Sequence, residues 1–371
     1  MNKSWEYKKI GDVCTVERGG SPRPIDKFIT DDENGINWIK IGDTTDSMYI
    51  THTAQKIIPE GMKKSRYVKP GDFLLSNSMS FGRPYILQID GCIHDGWLVL
   101  RDDDELFDKS FLYYYLSSKT TYEKFKSMAV GGVVNNLNSE MVRKVEVPIP
   151  DKAEQSDVAN LMDRLSKVID NRKKELEYFD DLIKARFVEM FGDPRINPFG
   201  YDTEEIGKTC KVITGNTPSR KVPEYYGDYM EWIKTDNIVS GVLNPTKAAE
   251  CLSESGAEEG RIVAENAILM ACIAGSIASI GRVCVTDRRV AFNQQINAIV
   301  PEKYNTLFLY TLLQISKDYL VEDINMALKG ILSKSKLEEK VFIVPSMELQ
   351  DQFADFVKQV DKSKVVELTA A

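Results

Sequence analysis

The chain has 371 residues, 43% of them hydrophobic and 28% charged, with a net charge of −8 at neutral pH. That length predicts two or three domains, each able to bury a core. No run of about 18 consecutive apolar residues is present to cross a membrane, and the acidic balance confines any nucleic-acid surface to a local basic patch. From the N-terminus, strand-like runs at Asn37 to Ile41, Asp72 to Leu75, Trp97 to Leu100 and Arg143 to Val147 alternate with Gly, Pro, Asn and Asp clusters. One helix, around Lys109 to Lys126, interrupts them.

From Asp151 to about Phe191 the character changes. Pro148 and Pro150 block a helix before it, and Asp151 with Glu154 forms a capping-box-like start. Apolar residues then fall three and four apart, save for charged interruptions at Arg172 and Arg186, at Met162, Leu165, Ile169, Leu176, Phe179, Ile183 and Met190 within mixed-sign charge. This heptad pattern predicts a long helix, roughly 55 to 60 Å at about 1.5 Å per residue, packing along another helix. Gly192-Asp193-Pro194 ends it.

The next segment repeats the first. Ile10-Gly11 and Cys14 recur as Ile206-Gly207 and Cys210, 196 residues on, and Gly19-Gly20-Ser21-Pro22 is answered by Gly215-Asn216-Thr217-Pro218. Trp38-Ile39-Lys40 matches Trp232-Ile233-Lys234, Gly82-Arg83 matches Gly281-Arg282, and Phe111-Leu112-Tyr113 matches Phe308-Leu309-Tyr310. Val147-Pro148 with Gln155 and Ala159 matches Val344-Pro345 with Gln350 and Ala354. A period near 196 residues means two whole domains. The second copy is expected to place strands at Ile268 to Ala271, Val283 to Val285 and Ala298 to Val300 and a helix at Thr306 to Leu320. After Pro345 a second amphipathic helix carries Leu349, Phe353, Phe356 and Val360 on one stripe, with only 26 residues to build it. The shorter helix is expected to leave the central stripe beyond about Leu176 without a partner, so that another subunit or a second copy of the chain covers it.

Six cysteines, at 14, 92, 210, 251, 272 and 284, form no CxxC pair, and His52 and His94 are the only histidines. A zinc site is not expected, and the thiols read as small buried side chains in a reducing compartment. The start, Met1-Asn2-Lys3-Ser4-Trp5-Glu6, lacks an apolar signal region, which makes the cytoplasm the expected location.

Domain, long helix, Gly-Asp-Pro break, domain, helix is a layout that resembles the specificity subunits of type I restriction-modification systems. The matching residues are the openings Ile10-Gly11-Asp12-Val13 with Thr15 to Pro22 and Ile206-Gly207 with Thr214 to Ser219, the Trp38 and Trp232 strands, and the exit Val147-Pro148-Ile149-Pro150 with Glu154-Gln155. The most specific is Arg186-Phe187-Val188-Glu189-Met190-Phe191-Gly192-Asp193-Pro194. The resemblance implies an α+β fold of two duplicated target recognition domains, residues 1–150 and 193–345, related by pseudo-twofold symmetry. Long antiparallel coiled-coil helices, residues 151–192 and a shortened 346–371, would separate them. It implies a non-catalytic, sequence-specific subunit in which each domain reads one half of a bipartite double-stranded DNA target. The helices would set the spacing and dock two methyltransferase subunits, with restriction subunits joining the full complex. No cofactor is expected in this chain; S-adenosylmethionine, ATP and magnesium belong to the partner subunits.

Base edges in the major groove call for Arg, Lys, Asn and Gln, whereas phosphates accept any well-placed donor. The candidates in the first copy are Ser21, Arg23, Lys40, the run Lys63, Lys64 and Arg66, then Asn77 in Ser76-Asn77-Ser78, and Arg83. In the second they are Asn216, Ser219, Arg220, Lys221, Lys234 and Arg282, with Asn293-Gln294-Gln295 set against Asp95-Gly96-Trp97. Each basic group is equally readable as a solvated surface charge, and placement at equivalent repeat loops favours Arg23, Lys40, Arg83, Arg220, Lys234 and Arg282. The glycine loops Gly131 to Asn138 and Lys329 to Lys334 serve phosphates or cap the exit strands. Trp38 and Trp232 fit a core better than a stacked, extruded base.

Catalysis has little support. An adenine methyltransferase needs an Asn/Asp-Pro-Pro-Tyr/Phe motif and the chain has Asn197-Pro198-Phe199, while Gly200 to Thr209 has six residues between its glycines where a phosphate loop needs four. Neither His52 nor His94 has a counterpart in the other copy to suggest a repeated triad. The alternatives are a non-DNA coiled-coil scaffold, against which two dissimilar loop sets argue, and a metal-dependent nuclease.

Overall fold

The computed structural model describes residues 5–77, 82–129, 136–324 and 330–369. It divides into two compact units, Met1–Asp170 and Asn171–Ala371. In unit 1 the entering strand Tyr7–Lys9 pairs antiparallel with the exit strand Glu146–Pro148, with Tyr7 opposite Pro148. One five-stranded sheet runs Thr15–Arg18, Trp97–Arg101, Phe73–Ser76, Pro84–Leu87, Tyr49–Ile50. The other runs Ile29–Thr30, Lys56–Ile57, Ile36–Ile39, Gly91–Ile93, Arg66–Val68.

Both faces of the Trp97–Arg101 sheet are apolar because both are covered. Leu98 and Leu100 join Phe73, Phe111 and Leu112 on the helical side, while on the other Trp97 and Val99, with Tyr85 of the same sheet, meet Ile39 and Ile93 of the second sheet. Successive residues of a strand point to opposite faces, so this run reads as continuously hydrophobic rather than alternating.

Unit 2 repeats the plan without one edge strand. Thr203–Glu205 pairs with Val341–Ile343, a four-stranded sheet runs Cys210–Thr214, Ile296–Pro301, Ile268–Ala271, Val283–Val285, and the second sheet has five strands centred on Met230–Ile233. Ile268 and Met270 face the helical core and Leu269 and Ala271 the inter-sheet core. Each unit is therefore α+β, as expected, and Trp38 and Trp232 are buried in the sheets. All the cysteines are free, and all except Cys251 are buried.

Local differences from expectation have local causes. The expected helix 109–126 is two, Lys109–Ser117 and Lys119–Ala129, because Ser118 is extended (ψ 146°) and its Oγ accepts the Thr121 amide to start the second. Ser316, at φ −90° and ψ 18° and without a side-chain cap, separates Thr306–Ile315 from Lys317–Val321 at the equivalent place. Arg143 ends a short helix, Ser139–Arg143, so the exit strand starts only at Glu146.

The central helix runs Lys152–Phe191, 40 residues, or about 60 Å. Asp151 Oδ1 caps it by accepting the Glu154 amide at 2.9 Å, and Gly192, at φ +72°, takes the left-handed turn that stops it. The C-terminal helix runs Met347–Thr369. Within unit 2 the two are antiparallel: Phe353 packs on Phe187 and Phe191, Phe356 lies under Arg186, and Asp361 and Asp180 both face Tyr310.

This arrangement reverses the expected position of the bare stripe. Both helices meet at the base of unit 2, so Phe179, Ile183, Phe187 and Phe191 share its core with Leu349, Phe353, Phe356 and Val360. On the other half Leu161, Leu165, Val168 and Ile169 are exposed, with Met162 and Leu176 half-buried, while Tyr178, Leu182 and Val188 are exposed within the half that also supplies the unit 2 core. Among the described residues, no helix is long and apolar enough to cross a membrane.

Candidate DNA interface

In each unit one edge gathers the opening loop, the end of the Trp strand and the turn leading into the main sheet. Gly19 N donates to Trp97 O and Gly20 N to Ile93 O; Gly215 N and Asn216 N donate to Ile296 O and Phe292 O in the same pattern. A Cβ on Gly19 or Gly215 would collide with the backbone carbonyl of His94 or Asn293, so glycine is required for this approach.

The same hydrogen bonds shift the expected correspondence of the two turns by one residue. His94, Asp95 and Gly96 align with Asn293, Gln294 and Gln295, and Trp97 with Ile296. Ser21 donates to Asp95 Oδ1 at 2.6 Å where Thr217 bonds Gln294. Asp95 is held below the usual carboxylate range by the Ser21 hydrogen bond, and burial keeps the His94 imidazole in its neutral form by lowering its pKa. Arg23 reaches Asp95 at 3.5 Å and remains 80% exposed.

At the end of each Trp strand a lysine caps a short turn. The Lys40 amide donates to Asp43 and the Lys234 amide to Asn237. Lys40 Nζ donates to Gln55 at 2.6 Å, and Lys234 Nζ bonds Glu250. Gln55 and Glu250 are themselves equivalent, since their carbonyls accept the amides of Trp38 and Trp232. Arg83 and Arg282 brace these turns from below: Arg83 donates to Thr45 O at 3.4 Å and Arg282 to Thr235 O at 3.2 Å.

Unit 2 adds a cationic cluster. Both Nη atoms of Arg220 donate to Glu250, at 2.7 and 3.0 Å, and its guanidinium lies 4.2 Å from the Tyr226 ring centre and 5.2 Å from that of Trp232. Hydrogen bonds from Arg220, then Lys234, hold Glu250 down at about 2, and that pairing raises Arg220 in turn. A solvent-exposed ion pair of this kind contributes about 0–1 kcal/mol to stability, so its consequence is the orientation of the guanidinium.

The remaining candidates separate by surroundings. Lys63, Lys64, Ser219 and Lys221 are exposed, Lys64 with its ammonium 5.5 Å from the Phe28 ring centre, and Arg66 pairs with Glu17 at 3.2 Å. Asn216 has its amide spent on Glu259 O and the Arg261 amide, which fixes the loop. Asn77 drops out of the surface set: it is 2% exposed, its Nδ2 donates to Asp95 O, and its backbone carries the Gly96 and Leu137 hydrogen bonds. Cys272 makes the same backbone bonds in unit 2, to Gln295 and Leu332, so an apolar counterpart marked Asn77 as interior. Gln55 and Glu250 are the surface groups absent from the sequence reading, because only the lysines that fold against them reveal their place. Ser78 and residues 131–135 and 329 of the glycine loops lie outside the described residues.

The type I restriction modification DNA specificity domain model matches residues 2–178 and again 198–370. Among curated relatives, the type I restriction enzyme MjaIX specificity subunit of Methanocaldococcus jannaschii is 23% identical over 96% of this chain and 86% of its own length. The HindI specificity subunit of Haemophilus influenzae is 29% identical over 41% of this chain and 33% of its own. Among solved structures, a chain of a type I R-M system, studied for its complex assembly and conformational transition, aligns with TM-score 0.56 and 17% identity over 100% of this chain and 93% of that one. The S subunit from M. genitalium aligns with TM-score 0.54 and 14% identity over 100% and 92%. With both halves matched by one model and one fold built twice around a long helix, the chain belongs to the type I restriction modification DNA specificity domain family.

Proposed function

We propose that this chain is the sequence-reading, non-catalytic subunit of a type I restriction-modification complex, each unit reading one half of a bipartite double-stranded DNA target. The observation that carries the reading is the pair of equivalent edges whose framework repeats while its exposed side chains differ. Lys40 with Gln55 corresponds to Lys234 with Glu250, and Ser21 and Arg23 with Asp95 correspond to Thr217 and Ser219 with Gln294. A scaffold has no use for such divergence on conserved geometry. The acidic total does not oppose it, because a net charge says little about one local surface, and Lys63, Lys64 and Lys221 are exposed for phosphates.

The reading further assigns methyltransferase subunits to the helices, with the exposed run Leu161 to Ile169 as part of the docking face. S-adenosylmethionine, ATP and magnesium chemistry would reside in those partners and in restriction subunits. The test is methylation mapping with the cognate methyltransferase. The expected product is a motif of two specified blocks around an unspecified gap. Arg23→Ala should weaken the first block alone, and a single contiguous motif would overturn the two-reader scheme.

A further inference from the structure

We infer that Arg220 selects a guanine in the second half-site through one edge of its guanidinium, with Glu250 as its positioning residue. This rests on the two-reader proposal and deepens it for one side chain. Both Nη atoms donate to the two oxygens of Glu250, so the end-on edge of the fork is occupied. The side-on edge, Nε with the outer hydrogen of Nη2, has no acceptor for Nε among the described residues. Two parallel donors at that spacing match O6 and N7 of guanine in the major groove.

Three restraints set the direction of that edge. Tyr226 and Trp232 support the face of the guanidinium, Glu250 fixes its rotation, and Lys234 anchors Glu250 from the other side. Trp232 is in turn fixed by donating Nε1–H to Asn216 O at 3.3 Å, and Tyr226 by donating to Pro218 O at 2.6 Å. Holding a long side chain before binding removes an ordering cost that a loose one incurs on contact. The contrast with unit 1 is chemical. Pro24 stands where Arg220 does, Gln55 replaces Glu250, and Arg23 hangs on Asp95 by one 3.5 Å contact. The clamped arginine therefore has no counterpart at the equivalent position of the first domain.

The experiment uses the full chain assembled with its methyltransferase subunits and a DNA library randomised across the target. Wild type should prefer guanine at one second-block position by roughly 5- to 150-fold, the range of a bidentate arginine–guanine pair. Arg220→Lys keeps the charge but not the fork, and should flatten that position alone. Glu250→Gln, which removes the charge that clamps the fork, should reduce the guanine preference at that position. Replacing that guanine with 7-deazaguanine, which lacks the N7 acceptor, should weaken wild type and leave Arg220→Lys unaffected. An unchanged base profile in Arg220→Lys, or uniform weakening on all sequences, would refute the assignment while leaving the two-block motif intact. A wild-type profile with no second block would refute both.

Discussion

Gln155 and Gln350 are the most informative residues to perturb, because each closes the joint between a domain and the helix that follows it. Gln155 is buried; its Oε1 accepts the Asp108 amide at 2.7 Å, and its Nε2 donates to Leu106 O and Pro150 O, both at 3.0 Å. Gln350 repeats the device on the Asn305 amide, Pro345 O and, at 3.4 Å, Lys303 O. Gln155→Leu fills the space but strands one amide and two carbonyls. At about 1–3 kcal/mol for each unsatisfied buried group, less the gain from an added apolar side chain and partial rehydration, the net loss should be about 3–5 kcal/mol. Gln155→Ala leaves a polar space with three partners, enough to hold a water, and should cost only about 1–2 kcal/mol. The order Leu worse than Ala is opposite to that of an apolar core site. Urea unfolding followed by tryptophan fluorescence isolates the effect, since Trp5, Trp38 and Trp97 lie in unit 1 and only Trp232 in unit 2. If Ala is the more damaging substitution, packing rather than hydrogen bonding holds the joint.

Phe353→Ala, which empties a fully buried ring from among Phe187, Phe191 and Phe308, should destabilise unit 2 by about 3–5 kcal/mol in calorimetry; under 1 kcal/mol would mean that the C-terminal helix is not integral to that core. Gly215→Ala forces the opening loop off the Asn293 carbonyl and should abolish methylation set by the second block, as should Gly19→Ala for the first; normal methylation by either variant would show the loop to be dispensable. Glu250 is lowered to about 2, so its pairing is fully present above the ordinary value of 4.5 and is lost only as pH falls through about 2. DNA affinity measured from pH 5 to 8 should therefore show no step removable by Glu250→Gln, and such a step would contradict the pairing.

Much of this fold was written in the chain's self-similarity. The strands Ile268–Ala271 and Val283–Val285 fell where apolar runs between turn residues put them, and the central helix followed its heptads and its Asp151 and Gly192 stops. What escaped depended on third parties. Ser118 breaks a helix because its hydroxyl serves the next amide, and a continuous apolar pattern hides that. The covered half of the central helix followed from where the C-terminal helix begins, not from its length. At the interface, cations were visible as residue types, but whether each is free, clamped or bracing depends on partners far along the chain, such as Glu250 for Arg220 and Thr45 for Arg83.

In both units the chain comes in and goes out side by side, Tyr7–Lys9 against Glu146–Pro148 and Thr203–Glu205 against Val341–Ile343. Each domain is thus a cassette with one doorway, sealed by the same glutamine. Exchanging everything between the paired strands for another family member's insert changes the word that is read without touching the hinge hardware. New recognition can then arise by recombination of whole blocks rather than by residue-by-residue drift.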